Sequence, residues 1–143
     1  MAAGLPGFVV EASISAAWFL PDEATPRTEA ALQATAEQEV WAPALWLLEM
    51  GNLQLSAQRR QRILADKRRE LAVAAQALRI KVDREPVPIT RLDELAASHG
   101  LSADDAAYLE LSLRRGLPLA TLDAALQAAM VEAGVVAETP PTP

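Results

Sequence analysis

Short apolar runs alternate with longer amphipathic stretches along this chain. The first run, Phe8 to Val10, is too brief for a helix core and predicts a buried strand. "SISAAWFL" follows with helical spacing, Ile14, Ala17 and Trp18 falling near one face, and Pro21 should end it. "TPRTEAALQATAEQE" predicts a second helix, with Thr28 as its cap and Ala31, Leu32, Thr35 and Ala36 as its packing positions. "VWAP" predicts a second strand, and Pro43 suits entry into a helix over "PALWLLEMGNLQL". Ser56 is placed to cap a further long helix reaching about Leu78, although Gly51 blurs the division between the two.

"IKVDR" predicts a third strand, followed by a loop marked by Pro86 and Pro88. "TRLDELAASHG" is a self-contained helix with Thr90 as cap, Asp93 in a capping box and Gly100 as stop. "LSADDAAYLELSLRRG" repeats that grammar with Ser102 and Gly116. "LPLAT" predicts a fourth strand, "LDAALQAAMVEAG" a last helix and "VVAE" a short last strand. The Pro- and Thr-rich end, residues 139–143, has nothing to place in a core and is expected to be disordered. Short apolar strands separated by helices predict the α/β class, a three-layer α/β/α domain around a mostly parallel sheet. Ligands in such folds gather beyond the carboxyl ends of the strands.

Composition narrows the chemistry. The 143 residues suffice for one domain, and half of them are apolar while aromatics are few, so the core should be Ala, Leu and Val. With no cysteine there is no disulfide framework and no thiolate metal site, which fits a reducing cytoplasm. No apolar run approaches the roughly 20 residues of a membrane span. There is no Gly-rich phosphate loop and no dinucleotide fingerprint. The net charge of −6 excludes a generally basic nucleic-acid-binding surface but leaves room for a local patch. Six of the thirteen Lys and Arg residues fall within "RRQRILADKRR", as Arg59, Arg60, Arg62, Lys67, Arg68 and Arg69.

A parallel sheet could bring four acids to one edge, although only two of them follow strands. Glu11 follows the first strand and Asp123 the fourth, while Glu49 and Asp105 lie early in helices. Clustered carboxylates suit hard divalent cations, and without one they repel each other. Three of the acids also have a plainer use, and Glu11, immediately beyond an apolar strand, is the exception. Asp105 fits a capping box with Ser102, Asp123 sits where a helix dipole favours an acid, and Glu49 reads equally as a solvated helix residue. His99, the only histidine, reads as a C-terminal helix residue rather than a catalytic base.

Four blocks, in order and at matching intervals, carry a resemblance to a known family. These are "VVEASISAAWFLPDE", "VWAPALWLLEMGNLQL", "GLSADDAAYLELSLRRGLPLAT" and "LATLDAAL". Over residues 8–138 the chain resembles the PIN-domain family, and within it the VapC-like toxins of bacterial toxin–antitoxin pairs, leaving residues 1–7 as a flexible N-terminus. The resemblance implies a parallel five-stranded sheet between helices and a ribonuclease dependent on Mg²⁺ or Mn²⁺. It implies metal binding by Glu11, Asp105 and Asp123, with Glu49 as a fourth catalytic acid that ligates or positions the cation. Ser13, Asn52 and Thr121 would be supporting polar residues. It also implies a cognate antitoxin, an RNA substrate and a homodimer.

Two positions depart from the family pattern. The first acid is Glu11 where relatives usually have Asp, so the carboxylate sits one methylene further from the backbone. Asp104 stands where relatives often carry an aromatic, and adds an acid beside Asp105. The Glu11 change points to attenuated cleavage and admits a second reading, an inactive PIN-like protein that binds an antitoxin or other partner. A nuclease acting on DNA or structured nucleic acid is a third. The basic stretch is a candidate rim for RNA phosphates, a solvated helix face, or a contact for an acidic antitoxin segment. Trp18, Phe19, Trp41 and Trp46 divide between the core and a groove for an apolar partner helix.

Overall fold

Four of the five apolar runs become strands, and each strand is short. The computed structural model describes residues 7–137. Strand β1 spans Gly7–Val10, β2 Glu39–Pro43, β3 Ile80–Asp83 and β4 Leu119–Ala120. They form one parallel sheet in the order β3-β2-β1-β4. Phe8, Val9 and Val10 of the central strand point alternately to the two faces, yet all three have no exposed surface. Both faces are therefore covered, as a parallel sheet requires. Gly7 permits the close start of the β1–β2 pair, because a Cβ there would lie 2.4 Å from the Glu39 carbonyl oxygen.

The helices supply the outer layers. Helix α1 spans Ala12–Ala17, α2 Pro26–Ala34, α3 Leu45–Arg59 and α4 Ala65–Ala77. Helix α5 spans Ile89–His99, α6 Ala103–Arg115 and α7 Ala124–Ala133. Helix α6 packs on β1, β2 and β4 and holds α5 and α7 beside it, while α3 packs on β2 with α1 and α4. The result is the expected three-layer α/β/α domain. The core is aliphatic, built on Ile14, Leu109, Leu111, Leu119 and Leu126, with Phe8 and Tyr108 its largest fully buried rings.

Several local expectations are corrected. Thr25, not Thr28, caps α2; Thr28 is the reciprocal partner in a capping box and is fully buried. Helix α3 runs unbroken through Gly51 and Ser56, so Ser56 caps nothing. The chain turns instead between α3 and α4, where Gln61 takes a left-handed backbone (φ 61°). Pro43 closes β2, opposite Asp83, rather than opening α3. Helix α5 begins at Ile89 after Pro88, so Thr90 lies inside its first turn and no side chain caps it. Ser102 does cap α6, and Gly100 and Gly116 close α5 and α6 in left-handed geometry. The expected last strand reduces, among the described residues, to one parallel bridge from Leu119 to Ala137. Gly7 opens β1, while the rest of the proposed flexible start and all of the disordered tail lie outside the described residues.

Candidate functional site

Glu11 and Thr121 stand side by side where β1 and β4 end. The Glu11 backbone N–H still donates to the Ala120 carbonyl at 3.0 Å, which carries the strand pairing one residue past β1. Beyond it the chain turns into α1, and Glu11 caps that helix. Its Oε2 accepts from the Ser13 backbone N–H at 2.9 Å, and its Oε1 accepts from the Ser13 hydroxyl at 2.5 Å. The fully buried Thr121 hydroxyl donates to the same Oε1, also at 2.5 Å. Each hydroxyl accepts in turn from the loop after β4. Leu122 N–H donates to Ser13 Oγ at 2.9 Å, and Asp123 N–H to Thr121 Oγ1 at 3.0 Å. The resemblance made Ser13 and Thr121 supporting polar residues; here both donate their hydroxyl protons to Glu11.

The other acids arrive from helices. Glu49 comes from the first half of α3 and accepts from the Tyr108 hydroxyl at 2.5 Å. Asp105 lies in the first turn of α6, its backbone N–H bound by Ser102 Oγ at 3.1 Å. Asp123 caps α7 by accepting from Leu126 N–H at 2.9 Å. Asp104 is exposed beside Asp105, and Asn52 is exposed one turn beyond Glu49. Ser102 and Asp123 thus do cap their helices, while Asp105 supplies only its backbone N–H and its carboxylate does not close the expected capping box. That use does not remove the carboxylates from the site.

The electrostatics join these groups. Burial pushes the Glu49 carboxyl above its ordinary range; the Tyr108 hydrogen bond opposes the shift, and the charges of Glu11, Asp104 and Asp105 add to it. Burial also raises Asp105, helped by the charges of Asp123, Glu11 and Asp104. Each acid predicted for the site therefore lies in the field of others. Among the described residues, no Lys, Arg or His pairs with Glu11, Glu49, Asp105 or Asp123. An all-oxygen donor set with no counter-charge is the chemistry that suits a hard divalent cation. The side chains stop short of a formed centre: among the described residues, no three are close enough together to hold one.

Tyr108 is the site residue that sequence reasoning missed. It is fully buried, and burial together with Glu49 pushes its phenol far above the ordinary range, so it acts as a fixed donor. One signal was available. Tyr108 follows Asp105 by three residues, which places both on one face of α6.

The basic stretch is divided by the turn after α3. Arg59 ends α3 and is exposed, as is Arg60. Arg62 pairs with Asp22 at 2.9 Å, Lys67 lies 3.8 Å from Glu70, and Arg69 pairs with Asp66. The Nε of half-buried Arg68 finds no hydrogen-bond partner. Ten residues separate Glu49 from Arg59 along α3, a rise of about 15 Å. His99 contacts Glu132 of α7 at 3.1 Å, away from the acids, as a helix-end residue. Trp46 is buried and donates to Ser15 Oγ, Trp18 donates to the Thr28 carbonyl, and Trp41 lies under Arg115. Of the four aromatics, Trp46 also lines a groove between α3 and α4, with Leu47, Met50 and Ala72.

The PIN-domain family model matches residues 8–130, so this chain belongs to the PIN-domain family. Among solved structures it is similar to the crystal structure of PAE2754 from Pyrobaculum aerophilum, with a TM-score of 0.65 and 22% identity. That match covers 87% of this chain and 79% of the other, and at this identity it speaks for the fold alone. No curated protein matches the chain. Among the described residues, no helix is long and apolar enough to cross a membrane.

Proposed function

We propose that this chain is a metal-dependent endoribonuclease of the toxin type, acting at the acidic end of β1 and β4. One observation carries the reading. The charges of Glu11, Asp105 and Asp123 act on their acidic neighbours, and among the described residues no basic side chain pairs with any of the four acids. Glu11, Asp105 and Asp123 are the residues that would hold Mg²⁺ or Mn²⁺. Glu49, held by Tyr108, would ligate or position it. A cation bound there would make water acidic enough to supply hydroxide and would offset charge on a phosphodiester. The chain's own contribution is placement: capped helices α6 and α7 bring Asp105 and Asp123 toward the strand ends, and Tyr108 fixes one oxygen of Glu49.

Arg59 and Arg60 are the cations best placed to meet an RNA backbone, since other members of the stretch are already engaged with acids. The groove beside Trp46 and the exposed Leu47 and Leu48 support an apolar segment of a cognate antitoxin as partner. A homodimer is part of the same reading, by family resemblance. The test is cleavage of mixed cellular RNA by the purified protein with Mn²⁺, beside EDTA, Asp105→Ala and single- or double-stranded DNA. Cleavage of RNA that disappears with EDTA and with Asp105→Ala supports the reading. Cleavage of DNA in preference to RNA replaces its substrate. A folded protein that cleaves nothing transfers the case to an inactive binding module, for which the fully engaged Glu11 Oε1 is the supporting observation.

A further inference from the structure

We infer that Glu11 is a latch, held shut by the hydroxyls of Ser13 and Thr121, with which a divalent cation must compete to use both carboxylate oxygens. The inference rests on the reading that these acids take a cation. A carboxylate offers about four lone-pair positions, two on each oxygen. On Glu11, both positions of Oε1 are filled, by Ser13 Oγ and Thr121 Oγ1 at 2.5 Å each. One position of Oε2 is filled by Ser13 N–H, which leaves a single position for anything else. Glu11 in this state can be at most a one-toothed ligand, through Oε2.

The latch is braced from behind. Ser13 Oγ accepts from Leu122 N–H and Thr121 Oγ1 from Asp123 N–H, so neither hydroxyl can swing its proton elsewhere without breaking a second bond. Thr121 is fully buried and Glu11 is 7% exposed, so water is poorly placed to replace a lost partner. Two of these links, Thr121 Oγ1 to Glu11 and Leu122 N–H to Ser13 Oγ, tie the β1–α1 junction to the β4–α7 junction across 110 and 109 positions of chain. Hydrogen bonds to an ionised acceptor are among the stronger ones in proteins. Full use of Glu11 as a ligand therefore costs at least one such bond, and the hydroxyls set how readily the site takes a cation.

The probe is Mn²⁺ alone, followed by its electron paramagnetic resonance signal, with the thermal midpoint recorded for each variant. Thr121→Val removes one latch hydroxyl and keeps the shape of the side chain. It is expected to bind Mn²⁺ roughly tenfold more tightly than the native chain while melting lower, the loss of one charge-assisted bond. Thr121→Ser restores the hydroxyl and should return both readouts to native values. Ser13→Ala provides the same comparison if Thr121→Val does not fold. A folded Thr121→Val that binds Mn²⁺ equally or more weakly overturns the latch while leaving the metal reading in place. Failure of every variant and of the native chain to bind Mn²⁺ at millimolar concentration overturns the metal reading and the latch with it.

Discussion

Helix α6 carries carboxylates at both ends, and the two ends treat them in opposite ways. In its last turns, Glu110 accepts from Arg114, and both Arg114 and Arg115 reach the buried Asp83 of β3. Asp83 accepts also from Glu85 N–H, so its oxygens are fully used, and Arg115 stacks on Trp41 at 3.4 Å. The Arg114 hydrogen bonds, with help from Arg115, hold the Asp83 carboxyl down at about 2. In its first turn, Asp105 has no basic partner among the described residues, and burial and the neighbouring acids push it up, as burial pushes up Glu49. Burying a charge is costly unless it is paired. The Asp83 end obeys that rule and anchors the helix to the sheet. The Asp105 end breaks it, and such uncompensated groups mark functional sites.

The largest effect should come from the anchored end. Asp83→Ala leaves Arg114 and Arg115 without their common partner, and should cost about 2–4 kcal/mol because only one member of a buried set is removed. The guanidinium groups are about one-third exposed, which keeps the loss within that range. At roughly 3 °C per kcal/mol, a thermal melt detects it easily. A change under 1 °C would show that this cluster does not anchor α6. The pH dependence separates the two ends. Asp83 binds its proton more weakly in the folded chain, so its stabilisation is complete above 3.8 and is lost as pH falls toward about 2. Glu49 and Asp105 bind theirs more tightly when folded, so they weaken the fold near neutrality, and that penalty eases as pH falls through their raised values. Melts from pH 7 to pH 2 should therefore rise first and then collapse.

The sequence exposes the two ends unequally. Glu11, Asp105 and Asp123 are legible because strand ends and helix caps are local signals: an apolar run stopping at Val10, Ser102 three residues before Asp105, and Asp123 opening a helix. The Asp83 cluster is not legible, since Asp83 and Arg114 are 31 positions apart and meet only once α6 crosses the sheet. The same limit hides Tyr108, whose partner Glu49 is 59 positions away. Local errors have local causes. Thr25 and Thr28 are chemically equivalent caps, and Gly51 is tolerated inside α3 because the long helix packs on either side of it. The basic run reads as one patch in sequence, but a turn at Gln61 and three acid partners divide it.

Intermediate effects should come from the acidic end. Tyr108→Phe keeps the buried ring and deletes one bond to a carboxylate, a loss of about 1.5 kcal/mol. The melt should fall by a few degrees with an unchanged far-ultraviolet spectrum; an unchanged melt would mean the Glu49 contact contributes nothing. Asp105→Asn removes a like charge without removing a partner. It should raise the melt slightly, by about 1–2 °C for a gain of roughly 0.5 kcal/mol. A fall instead would mean that a cationic group, absent from the contacts among the described residues, already offsets Asp105.

The smallest effect on stability should come from Arg59 and Arg60, and it sharpens the comparison most. Both are exposed, so Arg59→Gln with Arg60→Gln should leave the melt within about 0.5 kcal/mol of native. Their expected role is long-range. An acidic end without counter-charges repels RNA, and a pair of arginines about 15 Å along α3 from Glu49 can hold backbone phosphates at that spacing. Each phosphate contact releases counterions, so losing both should flatten the logarithmic salt dependence of RNA binding by up to about 2 and weaken binding across sequences alike. Fluorescence anisotropy with a short single-stranded RNA over a salt series reads this directly, using Asp105→Ala protein to prevent cleavage. An unchanged slope would assign the two arginines to the solvated surface. The RNA would then have to approach the acidic end by another face.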